Sequence, residues 1–253
     1  MLKGIKIFRA HGVQYLKDLR NARVSPLFMG RPHILQGSDS TRDELLVRLC
    51  PASAITSAPL QIDLGKCIFC RECEFANPGR IQFTNDYRMA ANRKEDLMIR
   101  EGGDKLIRLF EPAVRPEIRK IFKHALKLRQ VSAGGDNSCE MELNAAGNVN
   151  FDLGRYGVEF VASPRHADGV VITGPLTSNM EEALQITWDA VPSPKILILV
   201  GADAISGGIF EGSKAISRQF LNDHPVDLLI PGNPAHPLTF INGIMDLLAI
   251  QNK

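Results

Sequence analysis

Three cysteines within seven residues, Cys67, Cys70 and Cys73, constrain this 253-residue chain more than any other feature. A fourth, Cys50, stands directly before Pro51, and the fifth, Cys139, lies far downstream. Such clustering does not read as a disulfide framework; it suits a short loop wrapped around a metal centre in a reducing compartment. The first ten residues carry charges throughout and no small-residue cleavage site, so no secretory signal is expected there. The longest apolar stretch, Ile196–Gly201, is far below the ~18 residues of a membrane span and reads as a buried strand. The expected location is therefore the cytoplasm.

Residues 1–95 are short, irregular and punctuated, and contain two similar units. One runs to Leu49-Cys50-Pro51 and on to Ile55; the other runs from Cys67 through Cys73 to Asn77-Pro78-Gly79-Arg80-Ile81. That is a worn internal duplication. A bacterial ferredoxin repeat carries C-x-x-C-x-x-C-x-x-x-C-P, and its fourth cysteine ligates the cluster of the other repeat. Applied here, the swap joins Cys67, Cys70 and Cys73 of the second unit to Cys50 of the first, four thiolates for one [4Fe–4S] cluster. The reciprocal set falls on Ser40, Asp43, Leu46 and Asn77, none of them a thiolate, so only one cluster is expected. The same four thiolates would also suit a structural zinc ion.

Residues 96–129 read as a basic helical linker. Ile107, Phe110, Val114, Ile118, Ile121, Phe122, Leu126 and Leu128 keep a spacing near 3.6, broken around Pro112 and Pro116. Arg119, Lys120, Lys123, Lys127 and Arg129 form a cationic run beside them, read first as a solvated face and second as a contact for an acidic partner. From about residue 130 strand-like runs alternate with helical ones. Strands are expected in 157–162, 169–174, 195–201 and 226–231, and helices near 179–191, 213–222 and 237–251. Alternation at this length implies βαβ units and a parallel sheet, with any site in the loops at the strands' carboxyl ends.

Four blocks in this half carry a family resemblance: Gly134–Leu143, Ser163–Thr177, Gly201–Phe210 and Ile230–Pro237. In that order they resemble the small subunit of membrane-bound, energy-converting [NiFe] hydrogenases and its 20 kDa homologue in respiratory complex I. Gly30-Arg31-Pro32 ahead of a ferredoxin unit is similar to a polyferredoxin subunit of the same complexes, so the chain looks like a fusion of two neighbouring subunits. The resemblance implies a proximal [4Fe–4S] cluster on four cysteines, which fall here on Asp136, Cys139, Asp203 and Asn233. Only Cys139 is a thiol. Hard oxygen donors match a cubane poorly, so these positions are expected to be empty and to form a hydrogen-bonded pocket; the two carboxylates would better suit a hard cation.

The expected architecture is α/β: a ferredoxin-like α+β domain over 1–95, the linker over 96–129, and a flavodoxin-like parallel-sheet domain over 130–253. The resemblance implies an electron-transfer subunit with one [4Fe–4S] cluster and no catalytic residues of its own, soluble or peripheral on the cytoplasmic face of the inner membrane. Its implied partners are a hydrogenase- or complex I-like large subunit against residues 130–253 and membrane subunits beyond it, with no nucleic acid. The competing class is a non-redox assembly module in which the cluster only staples a small domain. His166 reads as a turn or contact residue. Gly207-Gly208 lacks the phosphate-loop pattern, and no flavin or nicotinamide fingerprint is present.

Overall fold

The computed structural model describes residues 2–37, 40–103 and 106–250. After an N-terminal helix, α1 (Leu2–His11), the duplication is visible as two β-α-β units. The first is β1 (Pro32–Ile34), α2 (Ser40–Leu49) and β2 (Ile55–Thr56); the second is β3 (Gln61–Asp63), α3 (Glu72–Ala76) and β4 (Ile81–Phe83). β1 pairs antiparallel with β4, and β2 with β3, which also pairs with β5 (Met98–Arg100).

Downstream, α4 (Pro116–Phe122) leads into a five-stranded parallel sheet: β6 (Leu126–Ser132), β7 (Val158–Phe160), β8 (Gly169–Thr173), β9 (Ile196–Val200) and β10 (Leu228–Ile230). Between its strands lie α5 (Ser138–Ala146), α6 (Glu181–Ala190), α7 (Ala202–Ser206) and α8 (Gln219–Asp223), and α9 (Pro237–Leu247) follows the last. The spatial order β10-β9-β8-β6-β7 is the flavodoxin-like order, with the direction of winding reversing between β6 and β8.

The linker differs from its sequence reading. Its helix is confined to α4, because the chain turns at Lys123–Ala125 and Leu126 enters the sheet. Ile118, Phe122 and Leu126 sit four apart and mimic a continuing helix, but β6 pairs with β7 on one side and β8 on the other. Strand pairing overrides the local period. Likewise the helix expected near 213–222 forms only over α8.

Every residue of β8 and β9 is buried, so both faces of the sheet need cover. Val171, Ile196, Ile198 and Val200 share one core with Leu143 of α5 and Phe240, Ile241 and Ile244 of α9. The residues between them, Val170, Ile172, Leu197 and Leu199, share the other with Leu184 and Trp188 of α6, Ile205 of α7, and Ile34, Leu46, Ile62 and Leu64 of the duplicated units. The strand period of two thus directs alternate side chains into two separate cores, one continuous with the duplicated units and the other taking in Leu19, Tyr87 and Ala90. Three polar ties reinforce that join: Ala91 bridges Leu229 of β10, Lys66 pairs with Glu211 at 2.7 Å, and Arg115 grips Asp227 through two hydrogen bonds of 2.8 and 2.9 Å.

At the reversal point the backbones of the loops after β6 and β8 nearly touch. A Cβ at Gly174, whose φ is +80°, would fall 2.5 Å from the Gly135 nitrogen. Gly174→Ala is therefore expected to lower unfolding stability by about 2 kcal/mol or more, combining steric overlap with an unfavourable φ. Urea denaturation checks this; an unchanged midpoint would show that the loops relax freely.

Candidate functional site

The four N-terminal thiols lie near enough to one another for Cys73, Cys50 and Cys70 each to act on Cys67. Cys67 and Cys73 are buried, Cys50 is half-buried and Cys70 is exposed. The strand–loop–helix path between β3 and α3 explains how three of them meet. Phe69 and Arg71 take positive φ values of 56° and 66°, which coil the loop and postpone the helix to Glu72. Cys50 arrives at the end of α2, where its sulfur accepts the Ala54 N–H at 3.2 Å. The Cys67 sulfur accepts the Phe69 N–H at 3.4 Å.

Burial pushes the Cys67 thiol well above the ordinary thiol range, and the nearby Cys73, Cys50 and Cys70 push it the same way. Burial also pushes Cys73 up to about 12, with Cys70 and Cys50 adding to it. Left to themselves these groups are neutral thiols. Backbone N–H groups already aimed at sulfur favour thiolates, but a compensating cation must supply most of the stabilisation. Soft sulfur donors with N–H support and a dry surround are the donor set of an iron–sulfur cluster, and the residues present fit one. Among the described residues no group of three or more His, Cys, Asp or Glu is arranged to hold a single metal ion.

The reciprocal positions have a different structure. In the first unit the ligand loop has become the helix α2, and its three-residue spacing places Asp43 and Leu46 on one buried face. The Ser40 side chain lies outside the described residues. Arg80, three residues after Asn77, donates to both Asp43 oxygens at 3.0 and 2.8 Å, to Glu101 at 2.8 Å and to the Leu35 carbonyl. A buried guanidinium network therefore closes this second position.

The C-terminal positions also converge. Asp136, Cys139, Asp203 and Asn233 line one cleft at the carboxyl ends of β6, β8, β9 and β10, at the reversal of winding. Asp136 accepts the Ser138 N–H at 2.9 Å and hydroxyl at 2.6 Å, which hold its carboxyl below the usual range. Burial pushes Cys139 up to about 11. Asp203 is half-buried, its Oδ1 has no hydrogen-bond partner, and burial followed by the Asp136 charge raises its carboxyl above the usual value. Sequence reasoning missed Glu140, which accepts the buried Thr173 hydroxyl at 2.6 Å against the same cleft. The enclosed space is about 10 Å³, room for roughly one water molecule. With three oxygen-bearing side chains, one thiol and no space for eight cluster atoms, these residues do not fit a cubane.

Comparison with known proteins reaches most of the chain that forms this cleft. Residues 137–247 match the family described as NADH ubiquinone oxidoreductase, 20 Kd subunit. A protein of Pyrococcus furiosus, "Probable membrane-bound hydrogenase subunit mbhJ", is 36% identical over 115 residues, covering 46% of this chain and 69% of its own. The chain belongs to the 20 kDa-subunit family. Formate hydrogenlyase subunit 7 of Escherichia coli is 35% identical over 138 residues, 54% of each chain. An NADH-quinone oxidoreductase subunit of Desulfovibrio desulfuricans is 37% identical over 115 residues, 46% of this chain and 62% of that one. The chain thus spans between about half and two thirds of these relatives. The family match begins just after Asp136, so the Cys50–Cys73 site lies outside it.

His166 sits exposed on the turn before β8, as a turn residue should. His236 has a role the sequence did not reveal. Its Nδ1 accepts the Leu238 N–H at 3.1 Å and caps α9, while its ring packs on Phe28 at 4.8 Å.

Two outcomes test the filled and open positions. Arg80→Met strands the buried Asp43 carboxylate and is expected to cost about 3 kcal/mol, most of it recovered in Arg80→Met/Asp43→Leu. Denaturation of the three proteins checks this; equal losses in single and double variants would refute the network. Asp203→Asn removes a carboxylate whose folded pKa is raised, so the protonated form favours the fold below the unfolded pKa. That benefit is lost as pH rises through the folded value. The variant should therefore gain on the parent as pH rises through the acid range and keep that gain near neutrality. Melting curves from pH 4 to 8 measure it, and parallel curves would contradict the assignment.

Proposed function

We propose that this chain is an iron–sulfur electron-transfer subunit of a membrane-associated complex related to energy-converting hydrogenases and complex I. The observation that carries the reading is the convergence of Cys50, Cys67, Cys70 and Cys73 on one site with backbone N–H groups aimed at sulfur. A [4Fe–4S] cluster bound there would supply one-electron exchange. The chain's own part is to hold it. Buried Cys67 and Cys73 exclude water on the inner side, the Ala54 and Phe69 N–H groups stabilise sulfur charge, and exposed Cys70 opens the site outward.

The Asp136, Cys139, Asp203 and Asn233 cleft holds no cluster on this reading, so the family's proximal redox centre is missing. The family relation supports a large-subunit partner against residues 130–253 and membrane subunits beyond it. Among the described residues no helix is long and apolar enough to cross a membrane, which suits a peripheral subunit on the cytoplasmic face. The structural-staple alternative draws on one fact: Cys67 and Cys73 belong to the core shared with the sheet. A redox-silent cluster would favour it.

Anaerobic purification with iron and sulfide analysis decides the cluster content. The expected result is about four irons per chain and one reduced-cubane EPR signal after dithionite. Cys67→Ser should abolish both, whereas Cys139→Ala should leave both unchanged. About eight irons, or loss of iron in the Cys139 variant, would return the proximal cluster to the C-terminal cleft.

A further inference from the structure

The N-terminal helix stands apart from both cores. Every side chain from Lys3 to His11 is exposed, including the apolar ones: Ile5 at 49%, Ile7 at 58% and Phe8 at 82%. The segment is nonetheless tied to the body just beyond it. The Leu16 N–H donates to the Asn150 carbonyl at 2.8 Å, Arg155 donates to the Leu16 carbonyl at 2.6 Å, and Leu19 is fully buried. So α1 has a fixed root and an uncovered surface.

Its residues are sorted by side. At 3.6 residues per turn, Lys3, Lys6 and Arg9 fall on an arc of about 120°, and Ile5, Phe8 and Ile7 lie on the rest of the circumference with Gly4 and His11. The charge is of one sign only: before Asp18 the chain has no acidic residue. A helix of ten residues is too short to span a bilayer, which takes about twenty. Basic residues beside an apolar strip, with no acid among them, match a surface of negative charge over hydrocarbon.

We propose that α1 lies in the surface of an anionic lipid bilayer, with Lys3, Lys6 and Arg9 at the headgroups and Ile5, Ile7 and Phe8 at the acyl boundary. This goes beyond the cluster reading and does not depend on it. It gives the chain its own contact with the membrane, through a part outside the family match.

Flotation of the full chain tests it, with vesicles of phosphatidylcholine alone and of phosphatidylcholine with an equal part of phosphatidylglycerol. The chain should float with the mixed vesicles at low salt, at least tenfold more than with the neutral ones, and should be largely released at about 1 M salt. Lys3→Glu/Lys6→Glu and Phe8→Ser should each lower binding roughly tenfold or more. Both variants lie outside the folded cores and should keep the parent's iron content, so failure here leaves the cluster reading standing. Equal binding to the two vesicle types, or unchanged binding in both variants, overturns the proposal. Binding only to native membranes, and not to pure lipid, also overturns it and assigns α1 to a protein partner.

Discussion

The two central strands, β8 and β9, are buried on both faces, and nearly everything else follows from covering them. Helices α5 and α9 cover one face. The other is covered by α6 and α7 together with the core of the duplicated units, in one continuous cluster. Fully buried parallel strands need such double cover because their side chains alternate between two apolar sides. The N-terminal units are short and have little core of their own, so sharing one with the sheet supplies what their size denies them. Cys67 and Cys73 belong to that shared core, which links the thiol site to the stability of the whole chain.

The three ligand positions illustrate three responses of a folded interior to charge. At the N-terminal thiols, burial and neighbouring sulfur oppose ionisation of Cys67 and Cys73, so anionic sulfur there calls for a positive centre. At Asp43 the demand is met from within, by the fork of Arg80 in a bidentate pair. At Asp203 it is only partly met: Ser138 serves Asp136, and one Asp203 oxygen stays without a partner. The contrast is one of depth. A carboxylate in a closed core must be paired, whereas one at the sheet's open edge can shift its pKa instead.

Much of this was legible in the sequence for stated physical reasons. The cysteine spacing and the worn repeat pointed to two similar units in a ferredoxin-like domain, and the structure has two β-α-β units there. The four blocks at the strand ends give the family, and the positions Asp136, Cys139, Asp203 and Asn233 do meet in one cleft. What was not legible depends on contacts distant in the chain. β6 carries helix-like spacing, and only its two neighbours make it a strand. Arg80 has its buried role only because Asp43 and Glu101 reach it from α2 and the end of β5. Glu140 and Thr173 are ordinary residues whose pairing needs β6 and β8 side by side. Helix α1, with its mixed residues, showed its amphipathic character only once its exposure was seen.

The glycines around the C-terminal cleft separate what the backbone demands from what the ligand positions demand. Gly174 is needed because a Cβ would strike Gly135, Gly201 because one would sit 2.6 Å from the Cys139 sulfur, and Gly208 because one would overlap Asp203. The Gly174 requirement comes from the crowding of loop backbones where the sheet reverses direction, whereas Gly201 and Gly208 abut the side chains that stand at the ligand positions. A glycine such as Gly174 can therefore persist whatever the cleft holds, because the backbone alone demands it. A resemblance built on such residues establishes the scaffold and the cleft. The redox content has to be argued from the donor atoms, and in this chain the sulfur donors converge in the N-terminal half.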